Sequence, residues 1–268
     1  MLTESRAGSV AAASLALLAR EFTEIGVRAG AVLHVQASLR ALGPVSGGAA
    51  TVVDALLDVL GPEGTLVAYT ATPENSATSR IHRAETAGLS PERVAAHLQE
   101  MPRFDPDTTP CSPTMGTLSE TIRTHPGALR SDHPQTSWAA FGPRARTITS
   151  VHPLESHLGP ESPLGRLYDL DAQVLMIGVP MARFTGFHLA DLRMPDVPQR
   201  EYRCVGTEGW TTFKAPDLDD LHFADLGTQV LAASTTLTTR SIGTARCRLI
   251  SLREAVDLAE QTLRRSRS

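Results

Sequence analysis

The chain has 268 residues, 25 basic and 29 acidic side chains and a formal net charge of −4, long enough to bury a full core as one large domain. Acids and bases are intermixed along it, which argues against nucleic acid as a partner, since such partners carry clustered basic surface. No hydrophobic run reaches the length of a membrane span, MLTESRAGS at the N-terminus has no basic-then-apolar leader pattern, and the three separated cysteines, Cys111, Cys204 and Cys247, suit neither a disulfide framework nor a CxxC metal site. A soluble, cytoplasmic protein is expected.

Apolar residues at helical spacing (Leu15, Leu18, Phe22, Ile25) before Gly26 predict an amphipathic first helix. Residues 31–35 read as a core strand, 42–48 as a loop, 49–60 as a helix stopping at Gly61, and 65–70 as the next strand. A strand, loop, helix, strand succession builds a parallel sheet. The loop GPVSGG runs straight into that helix. A helix N-terminus offers free N–H groups and a partial positive charge to a phosphate, and a double glycine there is also ordinary turn chemistry.

Residues 72–108 are polar and punctuated by proline, and read as an insertion lining a cleft, with a short helix over 91–99. A helix over 117–124, the turn RSDHP and a strand over 137–141 follow; His133 in that turn reads equally as a packed structural histidine, and it is not assigned proton transfer. The apolar run 174–179 is an interior strand, so His188 just beyond it emerges at a strand's carboxyl end, where open α/β sheets place ligands. An imidazole titrating near neutrality takes a proton from an amine or hydroxyl, and a carboxylate on its other nitrogen fixes its tautomer. Glu161, upstream of the strand, is the candidate partner. The same two residues also read as a helix-start histidine and a first-turn carboxylate.

Past His188, residues 201–205 and 210–214 flank GTEG as a hairpin with a four-residue turn. Asp217, Asp219, Asp220 and then Asp225 form an acidic cluster, which is either a cation-holding surface or a solvated loop. Residues 242–250 read as a strand returning to the sheet, Ser251 caps a last helix through Asp257, and residues 264–268 read as a frayed tail.

Four blocks of this sequence, SLRALGPVSGGAATVVDALLDVLGPEGTL, FDPDTTPCSPTMGTLSETIRTHPGALRSDHPQTSWAAFG, GPESPLGRLYDLDAQVLMIGV and TGFHLAD, together resemble the aminoglycoside 3-N-acetyltransferase family, antibiotic N-acetyltransferases unrelated to the GNAT fold. The resemblance runs over nearly the whole chain, and it implies a three-layer α/β/α fold with a largely parallel central sheet and an added antiparallel hairpin. Residues 1–268 would then be a single domain of two intimate lobes. It further implies acetyl-CoA as co-substrate, an aminoglycoside amine as acceptor, no metal, and catalysis by His188 with Glu161. The positions that match the family's coenzyme A contacts are Ser38, Leu39, Gly47, Gly48, Ala49, Thr109, Ser112, Met115 and Gly116, with Arg130 and Ser131 near the pyrophosphate and pantetheine. The last pair also reads as a capped turn.

The acidic cluster occupies the part of the chain that contributes substrate contacts in the family, so Asp217, Asp219 and Asp220 are expected to hold the acceptor's unreacting ammonium groups. Asp191 and Phe184 complete the expected substrate surface. The chain departs from the family pattern at Gln36, where VQASL replaces VHSSL or VHASL, at Asp191, where glutamate is common, and at Phe184, where asparagine is frequent. Phe184 and Arg183 beside the site would narrow it or repel a polycation. Two further functions are compatible with the same residues: an N-acyltransferase for a different amine, in biosynthesis or self-protection, and a non-catalytic protein that sequesters coenzyme A or antibiotic. Either enzyme could work as a homodimer.

Overall fold

The central parallel strands of one sheet all end at the edge where the site forms. The computed structural model of the chain describes residues 12–266, and in order these form α1 (Leu15–Ile25), β1 (Val32–Ala37), α2 (Leu39–Leu42), α3 (Gly48–Leu60), β2 (Thr65–Tyr69), α4 (Arg80–Thr86), α5 (Pro91–Glu100) and α6 (Gly116–Arg123). Then come β3 (Leu129–Arg130), β4 (Trp138–Phe141), α7 (Ala145–Thr149), α8 (Pro163–Asp169), β5 (Gln173–Ile177), α9 (Gly186–Leu192), β6 (Gln199–Gly206), β7 (Gly209–Pro216), α10 (Phe223–Ala233), β8 (Thr238–Ile242), β9 (Ala245–Ser251) and α11 (Leu252–Ser266).

Seven strands pair in the order β3-β4-β2-β1-β5-β9-β8, and β6 with β7 makes a separate ribbon. The centre is parallel, β1 pairing with β2 on one side and β5 on the other. The flanks, β4 and β3 beyond β2 and β9 and β8 beyond β5, run antiparallel. The expected parallel core with an added antiparallel hairpin is therefore what forms.

Side-chain alternation along the central strands divides the interior into two cores. Leu33 and Val35, Leu66 and Ala68, and Leu175 and Ile177 face one side, where α1, α3 and α6 bring Phe22, Leu56 and Ile122. Val32, Val67, Val174 and Met176 face the other, against α7, α8, α9, α10 and α11. On that second face His34 packs its ring 4.9 Å from that of Trp138 and meets the Val67 carbonyl at 3.2 Å. Both side chains are buried.

Several local expectations change. The GTEG hairpin closes at the pair Gly206 and Gly209 through Thr207 and Glu208 alone, with Gly209 at φ 110°; the glycine absorbs the positive φ that lets the chain turn within two residues. Residues 242–250 are not one strand but the tip of β8 and all of β9, turning at Gly243. The last helix begins after Ser251, whose hydroxyl accepts the Glu254 N–H at 3.2 Å, and it continues well past Asp257. Its hydrophobic face, ending with Leu263 in the core, carries residues 264–266 as helix instead of tail. Residues 267–268 and the N-terminal MLTESRAGS lie outside the described residues.

Glu254 binds the chain entering β8 to the start of α11. Its carboxylate accepts from Ser234 Oγ at 2.5 Å, from the Thr235 N–H at 2.8 Å and hydroxyl at 2.5 Å, and from the N–H and hydroxyl of Thr236. Partial burial alone would raise the pKa of this group, but the donors outweigh it and hold the pKa at about 2. Glu254→Gln should cost about 1–2 kcal/mol of stability at pH 7, since charge-assisted bonds at a partly solvated site are lost. In the parent, that contribution is fully present above about pH 4.5 and is lost as the pH falls toward 2. Chemical denaturation of both proteins at pH 7 and pH 3 tests this: an unchanged gap would reject the assignment.

Candidate active site

Beyond the carboxyl ends of β1 and β5 the strand order turns outward in both directions, and open α/β sheets bind ligands at such a point. The chain leaving β5 runs through Pro180 and a single 3₁₀ turn (Met181–Arg183) into α9. Gly186 begins that helix because there is no room for more: a Cβ there would lie 2.4 Å from the Phe184 ring and 2.7 Å from Leu252. Phe184 itself is fully buried, its ring 4.9 Å from that of Phe187. It is a core residue beneath the site and lines neither cavity described below, so the expectation that it narrows the substrate space does not hold.

Gln36, at the end of β1, holds this loop. Its amide nitrogen donates to the Arg183 carbonyl at 2.7 Å and to Thr185 Oγ1 at 3.0 Å, and its amide oxygen accepts the Thr185 N–H at 3.3 Å. The residue that departs from the family pattern thus clamps the turn that launches His188. The neighbouring His34, two residues earlier, is consumed in the core. Desolvation pushes its pKa down to about 4.

His188 sits in the first turn of α9, half-buried, with its ring edge-to-face on Phe223 at 4.7 Å. It stands where two cavities meet. One, of about 590 Å³, is bounded by Gln36, Ala37, Ser119, Val179, Ala182, Arg183 and Thr185. The other, of about 360 Å³, is bounded by Pro73, Arg80, Arg83, Gln135, Thr136, Arg200, Tyr202 and Leu218. Tyr69, Thr114, Met115, His188 and Asp220 line both. Desolvation pushes the imidazole's pKa down to about 4, with Asp220 opposing and His222 and Arg80 adding to the fall. The ring is neutral at physiological pH, with a lone pair available to a proton donor.

The expected Glu161–His188 pair is not formed. Ser162 caps α8, accepting the Leu164 N–H at 3.2 Å and donating to the Gly159 carbonyl at 2.7 Å, and Gly165 packs directly on the Pro160 carbonyl. This turns Ser162 inward and leaves Glu161 exposed, lining neither cavity. The carboxylate that does reach the His188 cleft is Asp220.

Asp220 accepts from Arg80 Nη1 at 3.0 Å and Arg183 Nη1 at 3.4 Å. Burial would raise its pKa, but the two guanidiniums and His188 bring it below the usual value. Asp219 lies 3.8 Å from Arg80, and Asp217 pairs with Arg200 at 3.1 Å. Asp191, one turn past His188, meets His222 Nε2 at 3.0 Å. Of the expected acidic contacts only Asp220 lines the cleft. Each member of the 217–220 cluster already faces an arginine.

Among the positions expected to hold the coenzyme, Met115 lines both cavities, and Gly116 opens α6 beside it at φ 80°. Ser112 is occupied: its hydroxyl donates to Glu74 at 2.6 Å and caps the turn by accepting the Thr114 N–H at 3.3 Å. Thr109 accepts the Asp105 N–H at 2.8 Å. Ser38 and Leu39 begin α2 at the rim, one residue beyond Ala37. Gly47, Gly48 and Ala49 start α3 away from both cavities, with Ser46 N–H bonded to the Ala13 carbonyl at 3.0 Å. The double glycine is turn chemistry.

Arg130 and Ser131, expected near the pyrophosphate and pantetheine, are engaged within the protein and line neither cavity. Arg130 donates to Thr70 O at 2.8 Å, Ser137 Oγ at 3.0 Å and Thr109 O at 2.5 Å, and its guanidinium lies 4.9 Å from the Phe104 ring centroid. A cation so engaged by carbonyls and hydroxyls on both sides ties the insertion to the sheet. Ser131 is fully buried; it accepts the Trp138 N–H at 2.9 Å and donates to His152 Nδ1 at 2.9 Å.

Ser131 is the edge of a histidine cluster. His133 Nδ1 accepts the N–H groups of Gln135 and Thr136 at 3.1 Å, so its proton is on Nε2, facing the Leu154 carbonyl at 3.2 Å. His152 donates from Nε2 to the His157 carbonyl at 2.7 Å. His157, held at φ 35°, packs its ring tilted against that of Tyr202 of β6, centroids 4.3 Å apart. All three are buried. Together they bolt the hairpin to the sheet end and set the wall of the smaller cavity.

The aminoglycoside 3-N-acetyltransferase family model matches residues 34–264. The SPbeta prophage-derived aminoglycoside N(3′)-acetyltransferase-like protein YokD of Bacillus subtilis (strain 168) is 34% identical over 91% of this chain and 90% of its own length. Its crystal structure superposes with a TM-score of 0.87 at 32% identity, covering 94% of each chain. AAC-VIa bound to sisomicin has a TM-score of 0.81 at 30% identity over 96% of this chain and 99% of the other. AAC-IIIb in binary complex with CoASH has 0.80 at 28% identity over 96% and 98%. Among the described residues, no group of His, Cys, Asp and Glu is arranged to hold a metal ion, and no helix is long and apolar enough to cross a membrane.

The histidine cluster makes stability pH-dependent with a definite sign. Desolvation pushes the pKa to about 4 for His152 and about 3 for His157, and His133 well below 6.5. In the unfolded chain these groups take up protons near pH 6.5, so their full contribution is present above that pH and declines as it falls toward 4. The slope is about 1.4 kcal/mol per pH unit for each histidine. Thermal unfolding between pH 7.5 and 5 should show a falling Tm; a flat profile across that interval rejects the buried neutral cluster.

Proposed function

The chain belongs to the aminoglycoside 3-N-acetyltransferase family, and we propose that it transfers the acetyl group of acetyl-CoA to an amino group of an aminoglycoside, at the 3-amino position of the deoxystreptamine ring, with His188 as the general base. The observation that carries this reading is the position of His188 at the junction of two cavities. Each cavity suits one reactant. The larger, between the ends of β1 and β5 and the start of α6, suits the thioester arm; the smaller, walled by the insertion and the hairpin, suits the sugar amine. The CoASH complex of AAC-IIIb and the sisomicin complex of AAC-VIa support the two ligand classes.

Amide formation needs an unprotonated amine aimed at the thioester carbonyl. His188 Nδ1 or Nε2 takes the proton from the amine as the C–N bond forms; the tetrahedral intermediate then expels the thiolate as the C–S bond breaks, and the imidazolium returns the proton to sulfur. Phe223 braces the ring, and Gln36 positions it through Thr185 and the loop. Asp220 stands beside the imidazole as the carboxylate that favours its charged form, in place of Glu161. When a substrate ammonium enters, it competes with Arg80 and Arg183 for Asp220.

Those arginines favour a second reading with the same chemistry, an acceptor amine that carries few further cations or an acidic group of its own. An N-acetyltransferase of biosynthesis or self-protection fits it. Thiol release from acetyl-CoA, measured across 4,5- and 4,6-disubstituted aminoglycosides, apramycin and amino acids, separates the readings. Turnover of aminoglycosides, with raised resistance in cells expressing the chain, supports the first; turnover confined to acidic amines replaces it.

His188→Ala should lower kcat/KM by about 10²–10⁴-fold with coenzyme A affinity nearly intact. Gln36→Ala should cost about 10-fold in kcat by loosening the loop, and Glu161→Gln should stay within about 2-fold because an exposed carboxylate outside the cleft contributes no first-contact charge. Wild-type turnover by His188→Ala, or a Glu161→Gln defect matching it, would reject this assignment of roles.

A further inference from the structure

A third cavity, of about 490 Å³, adjoins the larger one through Val179 and Ala182. Its wall is formed by β9, α10 and the α2 residue Ala41, and its charged members are Arg246 and Arg248. They alternate with Cys247 and Leu249, which face the α1–α3 core, so both arginines project to the opposite face, where Ile250 joins the second core. Two guanidiniums thus occupy sheet positions where apolar side chains would complete the layer. Neither forms an ion pair or a side-chain hydrogen bond among the described residues. Nε of Arg248 is buried without any partner, and an enclosed unsatisfied donor is costly unless something comes to meet it.

We propose that Arg246 and Arg248 bind the phosphate groups of coenzyme A, whose pantetheine arm then runs past Val179 and Ala182 to bring the thioester to His188. This rests on the acetyl-CoA reading above and gives the donor an anion site. Guanidinium groups match phosphate oxygens in charge and fork geometry. Burial and mutual repulsion bring the Arg248 pKa down from its ordinary value, a destabilised pair that a polyanion relieves. The positions expected to serve the pyrophosphate are otherwise engaged: Arg130 is spent on Thr70, Ser137 and Thr109, and Ser131 on His152. Of the other arginines at the cleft, Arg80, Arg183 and Arg200 are paired with aspartates, and Arg83 lines only the smaller cavity, on the far side of His188 from Val179 and Ala182.

Isothermal titration of the intact protein with coenzyme A, 3′-dephospho-CoA and pantetheine tests the site by binding instead of turnover. Arg246→Gln, at an exposed position, and the double change Arg246→Gln with Arg248→Gln should weaken coenzyme A by ~10-fold and ~100-fold, flatten its salt dependence, and leave pantetheine affinity unchanged. Equal affinity of the parent for dephospho-CoA assigns the arginines to the diphosphate; a loss matching the arginine changes assigns them to the 3′-phosphate, and either supports the site. Should the double variant lose its cooperative unfolding, the single exposed change and the salt dependence of the parent decide alone. Coenzyme A binding that is unaltered in Arg246→Gln and insensitive to salt overturns the arginine site while leaving the donor reading standing. A parent protein that binds none of the three overturns both.

Discussion

The register of β1 against β5 is the constraint on which the site depends. Gln36 and Ala37 lie opposite Met176 and Ile177, so the two strands end together and the amide of Gln36 closes on the loop that leaves β5. A slip of one residue would turn Gln36 toward the opposite face of the sheet, since side chains alternate strictly. The core enforces that register, because Leu33 and Val35 must enter one apolar layer and Val32 and His34 the other. The aim of His188 is therefore set by packing well below it. The hydrogen bonds of Gln36 then finish what the core begins, holding Arg183 and Thr185 in place at the mouth.

Charge in the cleft is organised differently from what an acidic sequence cluster suggests. Arg80 comes from the insertion, Arg183 from the β5–α9 loop and Arg200 from the hairpin, and all converge on residues 217–220. Three separate chain segments are thus held around the acceptor space by ion pairs at a partly exposed surface, each of modest strength. Such contacts define geometry and remain exchangeable. A rigid scaffold with an adaptable charged rim is the result.

Much of this was legible in the sequence. Periodicity identifies α1, α3 and the three parallel strands because each buries a full apolar face or run, and the position of His188 follows from β5 preceding it. What failed has a common physical source. Arg130 and Ser131 have the right chemistry for anion binding, but their availability depends on partners far along the chain, Thr70 and His152, which spacing does not reveal, and Glu161 is turned out by the cap that Ser162 makes on α8. Phe184 is similar, a residue before a loop glycine that turns out to be core. The acidic cluster was visible while the arginines neutralising it were scattered over more than a hundred positions. Gln36 carried a signal, its departure from the family's histidine, although its role as a clamp needed the loop geometry. α10 and β8 carried little signal: α10 exposes one side and begins directly after the aspartates, and β8 is an edge strand with mostly exposed residues.

The shared wall between the two cavities has a kinetic consequence. Tyr69, Thr114, Met115, His188 and Asp220 form a window with a cavity on each side, so on the acetyl-transfer reading donor and acceptor can be bound together, one on each side. Acyl passage through such a window is direct. No residue has to be loaded with acetyl first, and the cysteines could not serve: all three are buried, with desolvation raising their thiol pKa to about 11 or 12. On the acetyl-transfer reading, this arrangement favours a sequential mechanism through a ternary complex. On that reading, the flexible thioether of Met115 in the frame would set how bulky an acyl group can cross.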